Sequence, residues 1–185
     1  PEKERWFEAQ AVGFSTDAGN CALVIHQDVT VQEQARMALS GSERTLRAVI
    51  ETLPVGVWIL DATGRIVHAN PAGQQIWAGV RFVGPEQFGE YKGWWVSSGE
   101  PIAPEDWAAA RAIRRGEISI DEEIEIECFD GSHKFILNSA LPLRNEDGAI
   151  EGAIVVNPDV SDAKKASAAL SESEQRWRTL FDLLP

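Results

Sequence analysis

Apolar and polar positions alternate along the chain at two spacings, and the switches between them delimit the elements. Trp6 to Phe14 and Cys21 to Gln27 are short apolar runs on either side of the turn-rich Ser15-Thr16-Asp17-Ala18-Gly19-Asn20, which predicts a β-hairpin. From Ala35 the spacing becomes helical: Ala35, Leu39, Ser42, Leu46, Val49 and Leu53 follow steps of four and three, the seam of a heptad pattern. Asp28-Val29-Thr30 offers a cap for this helix, because a side-chain oxygen there can accept from the unpaired N–H groups of the first turn. Pro54 ends it. Val55 to Leu60 and Arg65 to Ala69 flank the turn Asp61-Ala62-Thr63-Gly64, a second hairpin signal. Asn70-Pro71 suits a cap followed by proline at the first helical position, starting a short helix through Trp77. Gly79 to Gly99 has no period and predicts loops and short helical turns. Pro104 to Arg115 predicts a helix, with Glu105 and Asp106 at its positive end and Arg114 and Arg115 at its negative end. Ile118 to Cys128 alternates Ile124, Ile126 and Cys128 against Glu123, Glu125 and Glu127, a strand with one face buried. Lys134 to Leu143 and Ala149 to Asn157 follow, joined by Asp130-Gly131 and by Asn145-Glu146-Asp147-Gly148. Two strands, helices, then three strands make an α+β arrangement with helices on one face of an antiparallel sheet.

The helical segment occurs twice. Asp28 to Pro54 aligns without a gap on Asp159 to Pro185, a constant shift of 131 positions, and Ala22 and Val24 match Ala153 and Val155. A period this long points to tandem domains, since solenoid units run roughly 20 to 50 residues. The second seam is Ala166, Leu170, Ser173, Trp177, Leu180 and Leu184. A seam present in both copies suggests a partner helix, with Leu39, Leu46, Val49, Leu53, Leu170, Trp177, Leu180 and Leu184 at a homodimer interface; the alternative is an amphipathic helix packed on its own domain. Gly41 stands where the second copy has Glu172, so the two helices differ in stiffness.

Composition removes several classes. A net charge of -12 argues against a nucleic-acid partner, because phosphate contacts need clustered Lys and Arg. Cys21 and Cys128 fit no metal, redox or disulfide spacing, and suit a reducing compartment. No run approaches the roughly 18 apolar residues of a membrane span, and the N-terminus has no signal-peptide pattern, so the expectation is a cytoplasmic fragment without membrane contact. His26, His68 and His133 fall on separate elements and no glycine-rich nucleotide loop is present, so this fragment is not expected to be an enzyme.

The combination of Ser42-Glu43, Arg47 and Leu53-Pro54 with Asp61-x-x-Gly64, Asn70-Pro71-Ala72, Asp130-Gly131-Ser132, Asp147-Gly148 and Asp159-Val160-Ser161 resembles the PAS family. The Tyr91-Lys92-Gly93-Trp94-Trp95 stretch, with Gly99-Glu100-Pro101 and Pro104-Glu105-Asp106-Trp107, resembles a subgroup from bacterial sensor kinases. The resemblance implies a five-stranded antiparallel sheet with helices on one face, flanked by long connecting helices. It divides the chain into 1–30, the last hairpin of an upstream PAS domain; 31–53, a connecting helix; 54–161, a complete PAS domain; and 162–185, a helix leading into a following one.

The implied function is sensing and signal transmission in a multi-PAS sensor histidine kinase of a two-component system, with the kinase domains of the same chain downstream. Three alternatives stay open: a non-sensing relay and dimerisation module, favoured if Trp58, Trp77 and Trp107 fill the core; a flavin or haem redox sensor; and the input region of a diguanylate cyclase. For a small ligand the candidates are His68, Trp77, Trp94, Trp107 and Asn138. The reading is of no cofactor. Haem-binding PAS domains place a histidine on the long helix, here Pro104 to Arg115, which has none. The Asn-Cys-Arg motif of covalent flavin photochemistry is absent, leaving a non-covalent flavin, stacked on Trp77, Trp94, Trp95 or Trp107, as the alternative. Asp28, Thr30, Asp159 and Ser161 carry the family's strand-to-helix exit and are the candidate transmission residues. No metal is expected.

Overall fold

The computed structural model describes residues 4–17 and 19–182. The chain divides into two units, Pro1–Val49 and Ile50–Pro185. The first holds a two-stranded antiparallel hairpin, β1 (Phe7–Thr16) and β2 (Gly19–Asp28), and most of helix α1 (Thr30–Thr52). The second holds the core and ends in helix α4 (Ser161–Asp182).

The second unit contains an antiparallel sheet of six strands: β3 (Gly56–Asp61), β4 (Ile66–Ala69), β5 (Lys92–Trp95), β6 (Ser119–Glu127), β7 (His133–Arg144) and β8 (Ile150–Asn157). Their order is β4-β3-β8-β7-β6-β5. The expected five strands thus become six, because the segment read as loop between Gly79 and Gly99 contains β5, which pairs Lys92–Trp95 with Glu127–Ile124. Gly93 is what allows it: a Cβ there would lie 2.8 Å from Cη2 of Trp107.

Helix α2 (Pro71–Ile76), a 3₁₀ turn (Pro85–Glu90) and helix α3 (Ala108–Arg115) complete the domain. Asn70 caps α2 as its sequence predicts, and it does more. Its Oδ1 accepts from the N–H groups of Val57 and Gly73, and its Nδ2 donates to the carbonyls of Ile50 and Val55. Helix α3 begins four residues later than expected. Trp107 is extended (φ -57°, ψ 136°), and Pro104 to Trp107 form a turn closed by the Asp106 N–H on the Ala103 carbonyl.

Alternation along the strands separates the sheet's faces. Trp58 and Leu60, Ile124 and Ile126, Ile136, Asn138 and Ala140, and Ala153, Val155 and Asn157 are all buried beneath Trp77, Phe88, Tyr91, Trp107 and the alanines of α3. Ser119, Arg111, Glu117 and Glu122 form a polar cluster where α3 meets β6. The Arg111 guanidinium donates to Glu117 Oε1 at 2.8 Å, to Ser119 Oγ at 2.6 Å, to Glu122 Oε1 and to the Asp106 carbonyl. Burial pushes the Glu122 carboxyl above its ordinary value, and Arg111 only partly offsets this.

Candidate functional site

Between sheet and helices lies a cavity of about 60 Å³, lined by Trp58, Leu60, Trp77, Tyr91, Trp107, Asn138 and Asn157 among others. The aromatic lining is a connected set. Tyr91 makes edge contacts with Trp58 (5.8 Å) and Trp77 (4.8 Å), and Trp77 leans on Trp107 at 6.1 Å. The polar wall is an amide pair: Asn157 Nδ2 donates to Asn138 Oδ1 at 3.0 Å, joining β8 to β7. The indole N–H groups of Trp58 and Trp107 are buried without a partner among the described residues. The Tyr91 hydroxyl is tied outside this wall, donating to the Arg81 carbonyl and accepting from the Arg81 N–H, both at 2.9 Å. Burial raises its pKa to about 12.

Of the residues expected at a ligand, Trp77, Trp107 and Asn138 meet at this cavity. His68 does not. It is half-exposed on the edge strand β4, with Nε2 3.3 Å from Glu51 Oε1. Trp94 lies on the opposite face of the sheet, stacked on His133 at 5.7 Å, since strand alternation sends Gly93 and Trp95 inward and Trp94 outward. Asn157 and Tyr91 were not anticipated. Asn157 was legible in principle, as the polar member of the inward series Ala153, Val155, Asn157.

At about 60 Å³ the cavity is smaller than the roughly 300 Å³ at which sites for ligands of drug size begin.

Below the cavity the chain leaves the sheet. The Val160 N–H donates to the Phe135 carbonyl at 2.8 Å, and Ser161 Oγ accepts from the Phe135 N–H at 2.9 Å. Asp159 Oδ1 accepts from the Ser161 N–H at 2.9 Å, and Lys134 Nζ stands 3.6 Å from Asp159 Oδ2. Burial would raise the Asp159 carboxyl, but the Ser161 hydrogen bonds and the charge of Lys134 outweigh it and hold the pKa below its ordinary 3.8. The first unit repeats the motif. The Val29 N–H donates to the Trp6 carbonyl, Thr30 Oγ1 accepts from the Trp6 N–H, and Asp28 Oδ1 accepts from the Thr30 N–H, each at 2.9 Å.

Of the seam positions, Leu39, Leu46, Val49 and Leu53, with Leu170 and Trp177, are exposed. Leu180 lies in α4, and Leu184 falls outside the described residues. No described helix is long and apolar enough to cross a membrane.

An antiparallel sheet with helices on one face, an aromatic cavity between them and a hydrogen-bonded strand-to-helix exit define a class of α+β domain. The chain belongs to the PAS fold family, whose sequence profile matches residues 50–165. It is 27% identical over 168 residues to the uncharacterized protein y4lL of Sinorhizobium fredii, covering 88% of this chain and 19% of that protein. The chain thus spans about a fifth of that relative's length. An RNA-binding light-oxygen-voltage receptor shares the fold over 97% of this chain and 46% of its own (TM-score 0.53, 17% identity). A domain of a sensory box sensor histidine kinase/response regulator from Geobacter sulfurreducens aligns with 65% of this chain and 96% of its own (TM-score 0.46, 24% identity).

Proposed function

We propose that the central domain senses through its aromatic cavity and transmits to α4, as one input module of a longer multi-domain sensor histidine kinase that dimerises through α1 and α4. The observation that carries this reading is the short covalent and hydrogen-bonded distance from cavity to helix. Asn157, at the cavity wall, is followed directly by Pro158, Asp159 and Val160, then by Ser161, whose hydroxyl holds the Phe135 N–H on the next strand. A change in the Asn138–Asn157 pair therefore bears on the two strands that position the first turn of α4. For a ligand to act as a signal it must bind the two arrangements of this exit unequally. The exposed seam residues support a paired helix as the recipient.

The test is amide hydrogen exchange along α4. Asn157→Ala should raise exchange in the first turn, about Lys164 to Ala166. The same substitution in a Ser161→Ala background should add little, because the strand is already uncoupled. Unchanged exchange in a folded Asn157→Ala variant would sink the proposal.

A second reading is favoured by the size of the cavity: at about 60 Å³ it has room only for a few water-sized groups. In that reading the domain is a relay that binds nothing and passes on changes received through α1. It predicts that small neutral ligands leave exchange throughout the domain unaltered, while changes in α1 still reach α4.

A further inference from the structure

We propose that the outer face of the sheet carries a second binding site, for a small organic cation, in the groove walled by Trp94, Glu125, His133 and Phe135. The groove is open to solvent, measures about 290 Å³ and lies on the face opposite the aromatic cavity.

The charges along β6 point to it. Glu123, Glu125 and Glu127 share the outer face because they are two residues apart on one strand. Glu127 pairs with Lys92 and Glu123 with Lys164, each at 2.7 Å. Glu125, between them, faces only the imidazole of His133, Nδ1 to Oε1 2.8 Å, which is a full cation only when protonated. Among the described residues it is the member of the row without a lysine partner. Aromatic rings flank it on both sides: Trp94 lies directly across on β5 and Phe135 directly across on β7.

Ring faces are electronegative, so a groove with aromatic walls and a carboxylate attracts a cation. Cross-strand packing accounts for Trp94 on His133 and leaves the groove beside Glu125 open. Aromatic walls with one carboxylate do not supply a metal's ligand set, whereas they suit a quaternary ammonium or similar group. The chain's charge of -12 raises the local concentration of cations further. Phe135 also lies under the Lys164 ammonium, 5.1 Å from ring centre to Nζ, and its N–H holds Ser161. An occupant would thus touch a residue that seats the first turn of α4.

Choline is the probe, and the neutral alcohol in which carbon replaces its nitrogen is the control. Titrated into the 185-residue chain, choline should shift the Trp94 indole N–H resonance saturably and leave those of Trp58, Trp77 and Trp107 in place. Loss of the charge should weaken binding about two- to fivefold, the range of an exposed cation–π contact. Glu125→Gln, which keeps the shape of the side chain, should weaken choline by a similar factor, as should Trp94→Ala. Equal binding of choline and its neutral counterpart overturns the proposal, as does wild-type affinity in Glu125→Gln. So does the absence of saturable binding up to about 10 mM, the weak end of specific recognition. Shifts at the core tryptophans would place the ligand in the inner cavity, and binding of an arginine-bearing peptide without choline would assign the groove to a protein partner; either result also overturns it.

Discussion

At the scale of single residues the chain uses one device four times. Asp28, Asp61, Asp130 and Asp159 each stand two positions before a Ser or Thr and accept its backbone N–H at 2.9 Å. Their carboxyls are all held below the ordinary 3.8. This was legible because Asp-x-Ser/Thr is a local interaction that needs no distant partner. Tyr91 was not legible, since what fixes it, the Arg81 backbone and three aromatic neighbours, is assembled only in the fold. It is the chain's single tyrosine, which makes it a clean reporter. Its pKa is raised from 10.0 to about 12, so the stability that its burial contributes is present in full below about pH 10 and is lost as pH rises through about 12. Tyrosinate absorbance should therefore appear only near pH 12 in the native protein. It should appear near pH 10 in the protein unfolded by denaturant. Coincident titrations would mean that the phenol is not buried.

At the scale of elements, the long periodic segments were readable, and so were the short ones marked by turn or cap residues, Ile66–Ala69 and Pro71–Ile76; β5 was not. The strands Ser119–Glu127, His133–Arg144 and Ile150–Asn157 announce themselves by alternation. The four residues of β5 cannot, and their cause lies in Trp107, which occupies the space that a side chain at position 93 would fill. The start of α3 was misplaced for a related reason. Acidic residues at Glu105 and Asp106 suggested a first turn, whereas the Arg111 guanidinium binds the Asp106 carbonyl from inside the helix and holds that segment as a turn. Arg111 thereby serves both α3 and β6. Arg111→Met should cost about 1 to 3 kcal/mol, because it leaves the part-buried Glu122 without its counter-charge. Urea unfolding measures the loss, and a cost below about 0.5 kcal/mol, the scale of an exposed ion pair, would show the cluster to be solvated.

At the scale of the whole molecule, the seam read from steps of four and three is surface in this chain. Leu39 and Leu46 are 64% and 61% exposed, and Leu170 and Trp177 are 62% and 61%. In the proposed function these residues meet a second copy. Sedimentation should then show association that strengthens with concentration, and Leu46→Asp with Leu170→Asp should abolish it. A wild-type chain that stays monomeric at high concentration would remove the paired-helix part of the proposal. The ligand cavity was half legible: tryptophans and an inward asparagine are visible in the sequence, but whether large side chains fill a space or frame one depends on packing to within a methyl group.

The order of the strands sets when this domain can exist. The first strand of the sheet, β3, has β8 as its neighbour over its whole length, from Gly56 opposite Asn157 to Asp61 opposite Gly152. The two ends of the domain's sequence thus meet inside its sheet, as the second and third of the six strands. A ribosome must deliver Asn157 before β3 can pair with β8 along its whole length, so β3 and β4 emerge as an exposed pair and wait while the intervening residues are made. Folding is then dominated by a long-range pairing, slow by the measure of contact order, and the sheet cannot be completed until the residues that lead directly into α4 have been made.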